Sequence, residues 1–409
     1  MRMHSLLWLT GVLALLSGTG RSADAQKTAP RGRWPTATPS SVGINRAALD
    51  SIDEEIRSGQ YGYIDRMLVI REGKVVFDRA YPQDYVAAYG DSARIQNPLN
   101  AHDPTGPFNY FNDWWHPFYR RGRLHTLQSV TKTVSSVIIG TAVTRGDFPS
   151  LDTPVLRFFD TTKVANIDDR KRRLTIRHLL TMTGGLDWNE SLPYIDPRNT
   201  AHGLEASADW IHFTIDRPMM REPGTAFNYS SGESALIAHV FRQATGWDIE
   251  EYGATHLFAP LGITEWFWKR TPSGTADTEG GLYLAPEDLA RIWYLFLLDG
   301  EWRGTRVLSA DWVRESVTPQ VAVGTGANAT QYGLLWWLYR DPTEPDGFIW
   351  TGSGFGGQFP MAFPARDMVV VFNGWNILPR QKGLPFRQLQ ERLARAAAPR
   401  RTRGAGAAR

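Results

Sequence analysis

The chain has 409 residues, 42% hydrophobic and 21% charged, with 45 Lys and Arg against 42 Asp and Glu for a formal charge of +3. That length and apolar share support a full-sized core, and the lack of cysteine excludes disulfides and thiol lipidation. The small basic excess gathers largely near the C-terminus at Arg400, Arg401, Arg403 and Arg409, which gives no nucleic-acid-binding surface.

In chain order, Arg2 and His4 precede an apolar run over 6–16, followed by Ala23-Asp24-Ala25. This arrangement predicts an export signal over 1–25 cleaved after Ala25, and the run is too short to span a bilayer. The expected protein is therefore periplasmic or secreted, with no stable membrane insertion once the signal is removed. Residues 26–40, rich in Pro, Thr and Ser, predict a linker ahead of a folded domain over 41–398. Helical spacing over 44–58 is followed by a hairpin signal, with 67–70 and 75–77 flanking Glu72-Gly73. The Pro-rich stretch 81–121 holds an aromatic knot of Phe108, Tyr110, Phe111, Trp114 and Trp115. Anchoring of a long loop is the reading adopted for it, with a substrate-cleft wall as the alternative.

From about 150 to 275 the chain reads as a helical subdomain, with helices over 175–182, 204–215, 233–245 and 249–258. Residues 282–300 read as a short strand and an amphipathic helix starting near Pro286-Glu287-Asp288. Strand-like runs over 332–339, 347–351, 358–363 and 368–373 lead to a helix over 384–398 and a disordered basic tail over 399–409. Strands at both ends with helices inserted between predict an α+β fold. One antiparallel sheet is completed by both chain ends and flanked by helices, with the helical subdomain inserted.

The chemistry concentrates in Ser129-Val130-Thr131-Lys132. Three-residue spacing on a helix puts the hydroxyl and the amine on one face. A serine needs a base to become a nucleophile, and a lysine can be that base only when its surroundings neutralise it. Lys132 is the only charged residue between Ser129 and Val143, in a stretch of small and apolar residues. Burial and snorkelling to water both remain open for it. Tyr229-Ser230-Ser231 precedes a second helix, placing a phenol able to relay protons beside a hydroxyl able to bind substrate or lysine. The glycine-dense segment Trp350-Thr351-Gly352-Ser353-Gly354-Phe355-Gly356-Gly357 allows a ligand close approach to backbone. His125 is read as a packed strand residue. Asp187, Trp188 and Glu190, after Gly184-Gly185, are read as surface residues, with the cleft as the alternative.

These three motifs, in this order and spacing, resemble the serine β-lactamase and penicillin-binding-protein superfamily. Within it the chain is most similar to class C β-lactamase-related hydrolases, a group that includes family VIII carboxylesterases and the 6-aminohexanoate-dimer hydrolase. Leu174 to Leu186, Gly280-Gly281-Leu282 with Pro286 to Leu289, and Tyr332 to Trp337 extend the resemblance over roughly 40–395. It implies a β-lactamase/transpeptidase-like fold and an acyl-enzyme on Ser129, with Lys132 as general base and Tyr229 relaying the proton. One oxyanion donor would be the Ser129 N–H. In the register that aligns Gly352, Ser353 and Gly354 with the K-T-G pattern, the other is Phe355; in the alternative register it is Ser353.

Two departures shape the expected function. Ser231 stands where many relatives carry asparagine, and no cation opens the third motif, which argues against β-lactam and peptidoglycan carboxylates. The expectation is an exported serine hydrolase of a small ester or amide. A β-lactamase or DD-peptidase is the alternative within the class, and a non-catalytic binding or sensor protein the alternative outside it. The sequence has no G-x-S-x-G elbow, no H-x-x-x-H pair and no Walker loop, so no cofactor and no metal are expected. Oligomeric state is left open.

Overall fold

Hydrophobic side chains on both faces of one sheet set the architecture. A computed structural model describes residues 29–30, 32–89, 123–194, 196–326, 329–377 and 382–399. The predicted export signal, the aromatic knot at 108–115 and residues 400–409 lie outside the described residues.

Ile64–Arg71 (β1) and Lys74–Ala80 (β2) form a hairpin whose two turn residues, Glu72 and Gly73, both take positive φ of 52° and 69°. That pair of left-handed residues matches the right-handed twist of the flanking strands. His125–Thr126 (β3), Phe267–Trp268 (β4) and Leu282–Leu284 (β5) make a small separate sheet, and Glu301–Trp302 (β6) pairs with Thr305–Arg306 (β7). Six further strands follow: Val321–Val323 (β8), Thr330–Tyr332 (β9), Trp337–Arg340 (β10), Phe348–Thr351 (β11), Phe359–Phe363 (β12) and Met368–Gly374 (β13). The main sheet has the order β2-β1-β13-β12-β11-β10-β9-β8 and is antiparallel throughout, so the first and last strands lie side by side.

Along β1, Met67 and Val69 enter one core while Leu68 and Ile70 enter the other. Along β13, Met368, Val370 and Phe372 alternate in the same way with Val369 and Val371. Period-2 alternation with both faces covered turns the strands into continuous apolar runs. The first core is closed by Leu49, Ile52 and Ile56 of helix Arg46–Arg57 and by Leu389 and Leu393 of helix Phe386–Ala396. The second is closed by helix Pro286–Leu297 and by the central helix Val130–Arg145.

The central helix is apolar on nearly every side, with Val134, Val137, Ile138 and Ile139 fully buried, and stops at Gly146 in the left-handed region (φ 79°). Its buried hydroxyls stitch it to its surroundings: Thr133 donates to Leu335 O (2.8 Å) and Ser136 to Leu334 O (2.7 Å). This stitching explains why the run predicted as one strand over 332–339 is two. Residues 333–336 leave the ladder as a turn with Leu335 at φ 62°, because their carbonyls satisfy helix hydroxyls. The helix predicted over 204–215 is likewise two, Thr200–Ala206 and Trp210–Ile215. Asp209 caps the second by accepting from the N–H groups of Ile211 and His212.

Gly140 tests how tightly the central helix is held. A Cβ there would overlap the indole of Trp312 on helix Ala310–Ser316. Alanine gains ~1 kcal/mol of helix propensity, but overpacking costs about 1–3 kcal/mol. Gly140→Ala is therefore expected to lower the denaturation midpoint, and an unchanged or raised midpoint would show that the helix has room to shift.

Candidate functional site

Strand β3 leads directly into Ser129. Leu127 N–H bonds Leu282 O (2.9 Å), Gln128 takes a left-handed conformation (φ 47°), and Ser129 begins the central helix as its N-cap. A non-glycine residue at positive φ is strained, and here it sits where the chain turns sharply to present a side chain. Gly354 packs so close to Leu127 O that a Cβ would overlap it, so the glycine-rich strand lies directly against this turn.

Lys132 is buried rather than snorkelled, and its ammonium has an acceptor for each proton. Nζ lies 3.1 Å from Ser129 Oγ, 2.6 Å from Glu279 O and 3.4 Å from Glu279 Oε2, and stands 5.1 Å from the centre of the Tyr229 ring. Burial alone would lower its pKa. The Tyr229 oxygen and the carboxylates of Glu279 and Glu190 outweigh burial and hold the amine above the ordinary lysine range. Burial pushes the Tyr229 phenol up, Lys132 pulls it back and Glu190 pushes it up again. Its ring stacks on Trp337 at 5.9 Å.

Glu279 reaches the lysine because Asp277 builds its turn. Asp277 Oδ1 accepts from the N–H groups of Glu279 and Gly280 (both 3.0 Å), and its carbonyl accepts from Trp268 Nε1 (2.7 Å). Lys269 lies 3.4 Å from Asp277 Oδ2, and both side chains are buried.

Ser231, read as able to bind substrate or lysine, is buried and bonds two carboxylates instead. Its hydroxyl lies 2.8 Å from Glu190 Oε1 and 3.2 Å from Glu279 Oε2, and its N–H donates to Glu190 Oε2 (2.8 Å). Glu190 also accepts from Trp188 Nε1 (2.8 Å) and Tyr194 Oη (3.0 Å), and burial raises its pKa. Trp188 and Glu190 thus turn inward, correcting the surface reading, because the pocket offers them hydrogen-bond partners. Neither Glu279 nor Tyr194 was singled out by the motifs. The one available signal for Glu279 was its place beside Gly280-Gly281.

The cavity, of about 460 Å³, is lined by Ser129, Tyr229 and Ser353–Gly357 with the aromatic walls Tyr194, Trp337 and Phe359. The N–H groups of Gly352 and Gly354 bond Pro360 O (3.0 Å) and Gln358 O (2.9 Å). Gly354 bridges Gln358 with residues 355–357 as the turn between them, and residues 353 and 355 are partly exposed between buried neighbours. The buried Gln358 amide braces the turn by donating to Phe355 O (3.4 Å) and to Gly374 O. Tyr194 packs edge-on against Phe355 (5.4 Å). Lys382 stands at the rim. His125 is buried outside this set, with Nε2 2.9 Å from Asp65 Oδ2.

A hydroxyl bonded to a lysine at a helix start, a phenol over that lysine and a glycine-rich strand alongside define a β-lactamase-related serine–lysine centre. The chain belongs to the Beta-lactamase family, whose model matches residues 65–394. It is 25% identical over 282 residues to the 6-aminohexanoate-dimer hydrolase of Paenarthrobacter ureafaciens, covering 62% of this chain and 68% of that protein. Against the monacolin J acid methylbutanoyltransferase of Aspergillus terreus it is 31% identical over 117 residues, a match spanning 28% of each chain. Among solved structures, EstCE1, a hydrolase with promiscuous acyltransferase activity, superposes with a TM-score of 0.61 at 16% identity. That match covers 85% of this chain and 97% of the other, and at such identity it shows the shared fold.

Beneath the second motif, Glu233 is buried with Gly184 N–H 3.4 Å from its carboxyl, and burial pushes its pKa up to about 8. The folded chain therefore keeps a proton that the unfolded chain loses above its ordinary carboxylate range. Between about pH 5 and 8 this group subtracts up to ~1.4 kcal/mol of stability per pH unit. Glu233→Gln is expected to flatten the decline of the denaturation midpoint over that window; an identical decline in both proteins would show that Glu233 ionises freely.

Proposed function

We propose that this protein is an exported serine hydrolase that cleaves a small ester or amide through an acyl-serine intermediate. The observation that carries the reading is Ser129 Oγ held 3.1 Å from the buried Lys132 Nζ, at a helix start on the floor of a cavity. In this reading Ser129 Oγ attacks the substrate carbonyl, Lys132 is the general base, and Tyr229 relays the proton to the leaving group. The N–H groups of Ser129 and Phe355 face the developing oxyanion, where fixed donors stabilise charge without reorganising. Export rests on the N-terminal sequence pattern, and with it a periplasmic or secreted location.

The third motif weighs against carboxylate-bearing β-lactams. Gly352 occupies its first position, where a Cβ would lie 2.9 Å from Trp293 Cζ2 and 3.1 Å from both Pro360 and Val130 side-chain atoms. That packing leaves no path for a lysine or histidine side chain. In the other register Trp350 stands there, again without charge. The aromatic walls suit an apolar acyl or leaving group.

Hydrolysis of short-chain p-nitrophenyl esters by the mature protein, beside Ser129→Ala, tests the reading. The substitution is expected to reduce the rate on the order of 10³-fold or more. Activity surviving in the variant would assign the chemistry elsewhere, and a parent protein that neither turns over esters and amides nor is acylated by them would mark a binding protein.

A further inference from the structure

Lys132 presents an accounting problem for catalysis. Its ammonium faces Ser129 Oγ, Glu279 O and Glu279 Oε2, with the Tyr229 phenol also hydrogen-bonded to it. In that state the lysine donates to the serine and has no lone pair with which to take the serine's proton. The titratable groups around it are the Tyr229 phenol ahead of helix Ser231–Thr245, Glu190 from the segment after Gly185, and Glu279. Behind them stands the Asp277–Lys269 pair. Of these, Glu279 has a carboxylate oxygen within reach of Nζ, at 3.4 Å.

We propose that Glu279 is the proton acceptor that converts Lys132 from an ammonium into the base, acting through the lysine and not on the substrate. This rests on the acyl-serine reading of the site. Substrate filling the cavity expels water, and a dry site disfavours two separated charges relative to the neutral pair. One Nζ–H proton then passes to Glu279 Oε2, leaving an amine and a carboxylic acid. The amine takes the Ser129 hydroxyl proton as Oγ bonds to the substrate carbonyl carbon, which restores the ammonium. When the tetrahedral intermediate collapses, the ammonium passes a proton through Tyr229 to the leaving group. The amine then recovers its proton from Glu279. Proton count and charge close over the acylation half-reaction.

Ser231 fits this cycle. Its single hydroxyl proton can be donated to only one of the two carboxylates it touches. When Glu279 is ionised, Ser231 can bond it. When Glu279 carries the proton, Ser231 can donate to Glu190 at 2.8 Å and accept from Glu279. Both states of Glu279 are thereby hydrogen-bonded, so the proton can move without stranding a buried polar group.

The test is the pH dependence of kcat/KM for ester hydrolysis in the parent protein, Glu279→Gln and Glu279→Asp, with Ser129→Ala alongside and thermal melts to verify folding. Glutamine keeps the backbone carbonyl but accepts no proton. Glu279→Gln is expected to fall about 100-fold at pH 7 and to recover tenfold per pH unit on the alkaline side, where the parent profile is flat. Glu279→Asp, which keeps a carboxylate, is expected to be slower but flat. A Glu279→Gln protein at least as active as the parent at pH 7 would show that the carboxylate merely holds the ammonium. An equal loss at every pH would reduce Glu279 to a structural role. Should the glutamine variant not fold, an alkaline-rising profile or the parent rate in Glu279→Asp overturns the proposal. Activity retained by Ser129→Ala would sink the acyl-serine reading itself, an outcome separate from any of these.

Discussion

The structure around the site depends on holding one ammonium group inside an apolar helix bundle. A lysine in such surroundings either loses its charge or finds acceptors for every proton. Lys132 does the second, and much of the neighbouring architecture follows from supplying those acceptors. The serine must start the helix one turn earlier, the 277–281 turn must bring a carbonyl to 2.6 Å, and a carboxylate must stand beside it. Asp277 is buried with Lys269 for the same reason: its Oδ1 fixes the two N–H groups that aim Glu279.

The second constraint is the closeness of strand and helix. Gly354 lies against Leu127 O, and Gly352 is enclosed by Trp293, Pro360 and Val130, so both positions exclude any larger residue in this packing. With 352 and 354 sealed against Pro360 and Gln358, Ser353 and the turn residue Phe355 line the cavity. The Gln358 amide, bonded to Phe355 O and Gly374 O, ties that geometry to the end of β13, which itself pairs with β1. Phe355 is thus held by the joint between the first and last strands of the sheet.

Much of this was legible in the sequence, for identifiable reasons. The hairpin at Glu72-Gly73, the apolar runs of β1 and β13 and the Ser129–Lys132 spacing are local signals, each contained within a few residues. The strand break at 333–336 was not legible, because it is made by Thr133 and Ser136, about 200 residues away, taking its carbonyls. Glu279 was invisible for the same reason: its partner lies 147 positions earlier, and an acidic residue in a glycine turn ordinarily faces water. Glu190 was legible as a residue but not as an interior one, since four donors from Trp188, Tyr194 and Ser231 must first converge to make burial tolerable.

Serine at 231, where the resemblance puts asparagine in many β-lactamases and DD-peptidases, acquires a physical meaning from this arrangement. An asparagine side chain offers an amide donor to a ligand, whereas Ser231 turns its hydroxyl toward two carboxylates and leaves the cavity wall to Tyr194, Trp337 and Phe359. Polar recognition from this position is exchanged for an internal hydrogen-bond network that fixes Glu190 and Glu279. Discrimination among substrates then falls to the shape of an aromatic cavity, where one methylene changes binding by only about 1–3 kcal/mol. In the acyl-serine reading proposed above, such a cavity selects its substrate mainly by shape and apolar fit.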